Sequence, residues 1–482
     1  MGDIDSASSA APRLQGGPVT RWLRKKMDDD RPWSLIAWSV IIGLVSGLVV
    51  GLFRGSLTWL NDRMTDLYAY TKDGHWWVLA LIVAGSFLLS WLLAWIVKTE
   101  PLVSGSGIPD VEQRLRSDHA KYWHWWKVTW RKVIGGLAAI GPGLFLGREG
   151  PSVQIGASVG LGCSNYSDHT ARNRHTLVSC GAAAGLSAAF TAPLASVIFV
   201  AEEIYARFTT QVFICSFVAS VSAAFTTILV LGQAPGFVLP APRTIDITMW
   251  WQFILIGMGL GCVAALYEKT LVWGINFYSL LHIPKMLRAF IPFLLMIPLG
   301  LLLPVTLGGG TSFINIVSNS NTALWLLVVM FIIRLIGSQL SYGSGVPGGV
   351  FLPILTLGAT FGLICGKLLV MAHVESGSAG YFSVIESSCM AGLFGATVQC
   401  PLTAIILVVE MTGYSSLIPM SIVTLCACIV YDLLGGKPVY DELAGYQAKT
   451  LWRHMPERAI VLVKKKLFEF FDKPRDEHDG RS

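Results

Sequence analysis

Long apolar runs with few charges recur along the whole chain. They lie at 35–53, 76–98, 211–232, 250–272, 288–306, 322–340 and 416–434. A helix of about 20 apolar residues crosses the ~30 Å hydrocarbon core of a bilayer. Hydrophobic residues make up 53% of the chain and charged residues 14%, so a water-soluble fold would expose large apolar patches. The sequence therefore predicts an all-α polytopic membrane protein.

A second set of apolar segments is shorter and is divided by glycine and proline. These segments lie at 134–146, 151–162, 176–189, 193–204, 351–371, 389–398 and 401–411. Non-helical backbone at membrane depth is tolerated only where it is buried in protein or lines a cavity. We therefore predict broken helices gathered around an internal polar centre.

Two stretches of the chain repeat each other, because residues 183–202 align without gaps with residues 391–410. Interrupted helices at matching places in two halves are typical of transporters whose binding site lies between the repeats. Similarity alone leaves the relative direction of the halves open. Four regions are predicted, with cytoplasmic segments flanking two membrane halves: 1–34, 35–235, 248–440 and 441–482.

The repeat separates two kinds of buried glutamate. Glu202 and Glu410 occupy the same repeat position, so we predict that both have a structural role, capping backbone groups. Glu149 and Glu203 have no acidic counterpart in the other half. A charge inside a bilayer costs on the order of 3 kcal/mol on insertion scales, so an unmatched intramembrane acid indicates a function.

Three glycine-rich stretches precede sequence that can start a helix. They read GSGIP (105–109), GREGP (147–151) and GSGVPGGVFLP (343–353). A helix start presents unpaired N–H groups and about half a positive charge. Several starts that converge form an anion site without a full positive charge, which eases release of the ion. Glu149 lies at such a start, so its carboxylate can compete with a bound anion.

The three motifs, in this order and spacing, resemble the selectivity filter of the CLC chloride channels and transporters. A fourth piece, GGKPVY at 435–440, resembles the filter-tyrosine segment of that family. The similarity covers about residues 35–450. It implies the inverted-topology CLC fold, with many tilted and broken helices in two repeated halves, and a homodimer. The short stretch after Tyr440 indicates a prokaryotic-type member without C-terminal regulatory domains.

The resemblance also implies roles for individual residues. Glu149 would be the gate that rivals the anion, and Glu203 would be the internal proton-transfer acid. The plainer alternatives are an ion pair between Glu149 and Arg148, and a helix end where Glu203 meets Arg207. The implied anion-binding set is Ser106, Gly107, Ile108, Gly147, Arg148, Gly150, Gly349, Val350, Phe351 and Tyr440.

The leading functional interpretation is exchange of chloride for protons, with chloride bound as the substrate and no cofactor. A passive chloride channel, an exchanger of another small anion and a membrane-embedded enzyme are the alternatives. The resemblance favours exchange because transporters of the family usually carry an acid at the position of Glu203, and Ser106 favours chloride. The sequence contains no nucleotide-binding motif, metal-spaced His/Cys cluster or nucleophile elbow, so an enzyme has no support.

The basic residues give a net charge of +6 and form short clusters beside the apolar runs. This distribution is not typical of nucleic-acid binding. It fits the excess of lysine and arginine in cytoplasmic loops. One of these residues, Lys132, is expected to pair with Glu112. We predict a multi-pass protein of the cell membrane, with the bacterial inner membrane favoured and both termini cytoplasmic.

Overall fold

The computed structural model describes residues 32–116, 123–166, 171–204, 209–232, 237–319, 322–375, 377–413 and 416–445. The predicted cytoplasmic segments, 1–34 and 441–482, lie almost entirely outside these ranges. Helices dominate the described residues, and no strand is formed there beyond two isolated bridges. The all-α prediction is confirmed.

The helices fall into two series of eight in the described part of the chain. The first series is α1 (Pro32–Lys72), α2 (Trp77–Thr99), α3 (Ile108–Arg116), α4 (Trp125–Ile140), α5 (Glu149–Ser164), α6 (Ala171–Phe190), α7 (Pro193–Phe199) and α8 (Thr210–Leu231). The second is α9 (Trp251–Leu280), α10 (Phe290–Leu302), α11 (Thr311–Asn319), α12 (Leu324–Gly343), α13 (Phe351–Met371), α14 (Ala379–Val398), α15 (Pro401–Thr412) and α16 (Leu417–Leu433). Helices α3 and α11 both have nine residues, and α6 and α14 both have twenty. The second series thus repeats the first in the lengths of its third and sixth helices.

Seven helical stretches in the described ranges are long and apolar enough to cross a membrane. Two of them, α13 and α14, contain segments that the sequence had predicted to be short (351–371 and 389–398). The first turns of α14 carry Ser383, Glu386, Ser387 and Ser388, which weaken the apolar signal there. These side chains are buried, and 94% of the most apolar window of α14 is covered by protein. A helix surrounded by protein tolerates polar groups that lipid would exclude.

The two halves cap each other's helices through their matched glutamates. Glu410 accepts hydrogen bonds from the amides of Leu194 (3.1 Å) and Ala195 (2.8 Å) at the start of α7. Glu202, in the π-helical turn that continues α7, accepts bonds from two amides at the start of α15 (3.3 and 2.8 Å) and from the Thr403 hydroxyl (2.6 Å). Helix starts leave such amides unpaired, so the predicted capping role of both acids is confirmed.

The same pair of caps fixes the direction of the repeat. Each carboxylate lies near the C-terminal end of its own helix and reaches the N-terminal end of the other. Helices α7 and α15 therefore run antiparallel. Since they occupy equivalent places in the two series, the halves are inverted relative to each other at this pair.

Removing one cap should destabilise the fold without touching the glycine-rich motifs. We expect Glu410→Gln to lower the free energy of unfolding by about 1–3 kcal/mol, because a charge-assisted acceptor is lost from two helix-start amides. Thermal unfolding in detergent micelles measures this. Asp66→Asn is the matched control, since Asp66 pairs with Arg63 at an exposed site and such pairs contribute little. Equal unfolding temperatures for the native chain and Glu410→Gln would contradict the prediction.

Candidate anion-binding site

The three glycine-rich motifs meet in the interior of the protein. The Gly105 amide donates to the Val346 carbonyl (3.1 Å), and the Gly348 amide donates back to the Gly105 carbonyl (3.0 Å). Gly147 and Gly349 exchange two hydrogen bonds of 2.7 Å. The third motif therefore lies between the first and the second and holds both of them.

The first and second motifs are also in direct contact. A Cβ atom at Gly150 would overlap the Ser106 hydroxyl and lie 2.8 Å from the Ser106 carbonyl oxygen. Only glycine permits this approach. Gly105 and Gly107, on either side of Ser106, adopt positive φ angles of 62° and 85°, which glycine reaches without steric cost. The two glycines thus fold the backbone around the Ser106 side chain.

Three helices begin at this junction. Helix α3 starts at Ile108, α5 at Glu149 and α13 at Phe351, and all three residues are fully buried. The predicted helix starts are confirmed. Their unpaired amides and partial positive charges are held away from bulk water. Electrostatic interactions are stronger in such a buried site than they are in water. Such an arrangement can stabilise an anion.

An aromatic cluster built from both halves fixes the start of α13. The Phe351 ring packs against Phe394 (4.0 Å between centroids), Phe190 (5.1 Å) and Phe199 (6.1 Å). Helices α6 and α7 supply two of these rings and α14 supplies the third. The amides at the start of α13 are therefore positioned by packing as well as by the glycine bridges.

Several buried polar atoms around the junction lack a hydrogen-bond partner among the described residues. They are the Ser106 hydroxyl, the Tyr440 hydroxyl, both carboxylate oxygens of Glu149 and Nε of Arg148. Buried polar groups are almost always paired, so an unpaired group requires an explanation. The Tyr440 hydroxyl lies within electrostatic range of Glu149 and Glu203. A bound ion or water would supply the missing hydrogen-bond partners of these buried atoms.

The Glu149 carboxylate folds back over the second motif. A Cβ atom at Gly147 would overlap one of its oxygens and lie 3.0 Å from the Leu352 amide. The amides of Glu149 and Leu352 face the carboxylate, but neither completes a hydrogen bond with it. Glu149 forms no ion pair with Arg148, whose Nε is also unpaired. The carboxylate thus occupies the space next to two helix starts.

Glu203 lies in the π-helical turn Val200–Ile204, and only 9% of its surface is exposed. Its carboxylate accepts a hydrogen bond from the Cys400 thiol (3.0 Å), and its carbonyl oxygen accepts one from Arg116 (3.4 Å). Sequence reasoning missed the Cys400 contact, because the two residues are 197 positions apart. The alternative partner Arg207 lies outside the described residues. Single π-turns inside helices are frequent at functional sites.

Lys132 binds the backbone at the start of the first motif. Its ammonium group donates to the carbonyl oxygens of Val103 (3.0 Å) and Gly105 (2.8 Å). The expected pairing of Lys132 with Glu112 is wrong, because Glu112 lies one turn from Arg116 on α3 and pairs with it at 2.7 Å. A fully buried cation thus lies beside the junction, with its ammonium group donating to two backbone carbonyl oxygens.

Comparisons with known proteins agree with this geometry. A family profile described as "Voltage gated chloride channel" matches residues 85–432, which include the three glycine-rich motifs and end before Tyr440. The H(+)/Cl(-) exchange transporter ClcA of Citrobacter koseri is 33% identical over 471 residues, covering 93% of this chain and 94% of that protein. The protein of the same name from Salmonella typhi is 33% identical over 460 residues, covering 91% and 93%.

Solved structures have the same fold. A slow cyanobacterial Cl-/H+ antiporter superposes with a TM-score of 0.79 at 27% identity, covering 86% of this chain and 97% of that one. A eukaryotic CLC transporter superposes with a TM-score of 0.71 at 22% identity, covering 91% and 76%. With the matched profile, the relatives and the shared fold all in agreement, the chain belongs to the voltage-gated chloride channel family, the CLC family.

Proposed function

We propose that this chain is a secondary-active transporter that exchanges chloride for protons. The observation that carries the proposal is that the Ser106 hydroxyl and the Glu149 carboxylate are buried without partners at the meeting point of three helix starts, with the unpaired Tyr440 hydroxyl in electrostatic range of Glu149. The names of the relatives, H(+)/Cl(-) exchange transporters, support the same conclusion. The protein is thus a transporter and not an enzyme.

In the proposed mechanism chloride is the bound substrate. The hydroxyls of Ser106 and Tyr440 donate hydrogen bonds to it, and the amides of Val350 and Phe351 complete its shell. The remaining contributors are backbone groups of the same helix starts and the nearby guanidinium: Gly107, Ile108, Gly147, Arg148, Gly150 and Gly349. Amide and hydroxyl dipoles hold the anion without a full positive charge, so it can leave again. No cofactor is required.

Glu149 is the proposed gate because its carboxylate is itself an anion and lies at the helix starts. When deprotonated it occupies the position that an anion would take. A proton on the carboxylate removes the negative charge, so the side chain leaves and chloride enters. Binding of a proton and binding of chloride thereby favour each other, which is the linkage that coupled exchange requires.

Glu203 is the proposed internal proton donor and acceptor, and it lies within electrostatic range of the Tyr440 hydroxyl. It is almost fully buried, and Glu112 and Asp441 lie near enough to affect it electrostatically. These acids provide a path by which a proton reaches Glu203 without passing the chloride site. The proton then crosses the space beside the Tyr440 hydroxyl to Glu149.

The assembly is proposed to be a homodimer in the cell membrane, with one pathway per subunit and both termini in the cytoplasm. The membership of the chain in the CLC family supports this assembly. So do the apolar residues on the outer surfaces of α2 and α9, such as Leu81, Trp91 and Leu255, which are more than half exposed. Lipid or a second subunit would cover them.

Proteoliposomes containing the purified chain test the proposal. A chloride gradient should drive protons against their own gradient, seen as a pH change outside the vesicles that a protonophore collapses. Chloride release without proton movement would identify a passive channel instead. Vesicles that release no halide would overturn the proposal, and replacing chloride with bromide or nitrate defines the anion preference.

The two proposed hydroxyl ligands make a separate prediction. We expect Tyr440→Phe and Ser106→Ala each to weaken chloride binding by about tenfold or more, because a hydrogen bond to a charged group contributes about 1.5–3 kcal/mol. Isothermal titration calorimetry measures this in detergent. Tyr381→Phe is the matched control, since that buried hydroxyl bonds Gln252 away from the motifs. Unchanged affinity in both variants would remove the hydroxyls from the binding shell.

A further inference from the structure

A single arginine interrupts the apolar part of helix α1 that precedes Asn61. Between Trp33 and Asn61 the only charged residue is Arg54, which is half-buried. A charged side chain in a membrane-spanning helix is costly and is therefore expected to have a function. The sequence-based site did not include it, and its partners come from distant parts of the chain.

Arg54 is held at the turn between α6 and α7. Its Nη1 donates a hydrogen bond of 3.0 Å to the Thr191 hydroxyl. Thr191 has a positive φ angle of 59° and directly follows Phe190, whose ring packs on Phe351. The guanidinium is thus anchored one residue from the aromatic cluster that fixes the start of α13.

Arg54 lies on the face of α1 that lines a cavity of about 60 Å³. Leu57, Thr58 and Asn61 line this cavity, and with Arg54 they follow the three- and four-residue spacing of one helix face. Arg148 lines it from the second motif. Arg54 therefore lies one turn beyond the cavity, toward the interior of α1.

The cavity adjoins the proposed anion path. Leu146, directly before the second motif, and Leu352 of the third motif line it, and the start of α11 contributes Thr311 and Ser312. The charged residues that line it are Arg148 and Asp62. Arg54 interacts electrostatically with both Arg148 and Glu149. Arg54 and Arg148 therefore outnumber the remaining acid, Asp62, at this end of the path whenever Glu149 carries a proton.

We infer that Arg54 is an electrostatic positioning residue for this end of the path, drawing a small monovalent anion from the cavity toward the position that Glu149 contests. The inference rests on the proposed chloride exchange. A purely structural alternative exists, in which the arginine only ties α1 to the turn at Thr191. The two interpretations differ in whether the charge or the hydrogen bond matters.

Currents across planar bilayers, with chloride varied on one side at a time, separate the two interpretations. Chloride-for-proton exchange moves net charge, so it is seen as current. Arg54→Gln should raise the KM for chloride about tenfold on one side only, with little change in kcat, because a charged cleft raises the local anion concentration. Arg54→Lys should stay close to the native KM. Thr191→Val, which removes the hydrogen bond and keeps the charge, should also stay close to it.

Two further measurements of KM test the role of the Arg54 charge. Arg54→Gln should raise the one-sided KM in a Glu149→Gln background as well, since the anion is attracted directly. If Arg54→Gln does not fold, the native chain suffices: impermeant salt should raise the KM on one side by screening. Arg63→Gln, an exposed arginine of the same helix, is the control and should behave as native.

Each remaining outcome has a definite meaning. The inference would be overturned if the KM for chloride rose equally on both sides in Arg54→Gln. It would also be overturned if Thr191→Val had the same KM as Arg54→Gln, or if salt did not change the KM of the native chain. A native KM in Arg54→Gln would overturn it while leaving chloride exchange intact. Absence of any chloride-driven proton current in the native chain would instead refute the proposed function itself.

Discussion

Glu149→Gln is expected to keep transporting chloride while coupled proton movement falls by about 100-fold or more, the range typical for loss of a proton-transfer group. Glutamine has nearly the same shape as glutamate but cannot carry the proton. It also bears no charge, so it no longer rivals chloride at the helix starts of α5 and α13. Anion flux should therefore lose its dependence on pH.

Paired measurements of chloride release and proton uptake in proteoliposomes test this prediction. Glu410→Gln is the matched control, because it removes a buried carboxylate that caps α7 and lies outside the glycine-rich junction. That control should keep both fluxes in their native ratio, provided that it remains folded. Proton uptake that persists in Glu149→Gln at the native ratio would exclude the carboxylate from the proton path.

Glu203→Gln is expected to lose proton movement to a similar degree and to keep chloride flux. The physical reason differs from that for Glu149, since Glu203 lies in the π-helical turn that continues α7 and not at one of the three converging helix starts. Glu149 remains intact in this variant and still competes with the anion. Chloride flux in Glu203→Gln should therefore keep its pH dependence, which separates the two acids experimentally.

The Cys400 thiol offers a graded test of the same position. Its hydrogen bond to Glu203 orients the carboxylate but carries no transported proton in the proposed mechanism. Cys400→Ala should therefore slow proton movement by about threefold to tenfold, as expected for loss of one weak bond, and Cys400→Ser should restore it. Full proton coupling in Glu203→Gln would contradict the proposed route.

The sequence predicted the repeat and the central motifs well, because both depend on local patterns. Identical residues at identical repeat positions identified Glu202 and Glu410 as structural acids. Glycine and proline at the start of α5 marked where that helix begins, because a helix start imposes local requirements on the backbone. Convergence of the three motifs followed from the family resemblance more than from spacing.

What sequence reasoning missed depends on contacts between distant segments. Arg54 meets Thr191 across 137 positions, and no local pattern records such a contact. The expected pairing of Glu112 with Lys132 failed because the carbonyl groups of Val103 and Gly105 satisfy the lysine. The polar start of α14 hid the full length of that helix from the hydropathy pattern. Hydropathy cannot tell whether a helix is surrounded by lipid or by protein.

The reciprocal caps at α7 and α15 also bear on how such a chain could be divided. Neither half carries the carboxylate that completes its own short helix, so a fragment ending before α9 would present bare amides where Glu410 belongs. That fragment and the second half, when they are produced together, should reassemble, because each supplies the acceptor that the other lacks. The same reciprocity means that a symmetric pair of identical fragments, each keeping one glutamate of this kind, would satisfy both helix starts at once.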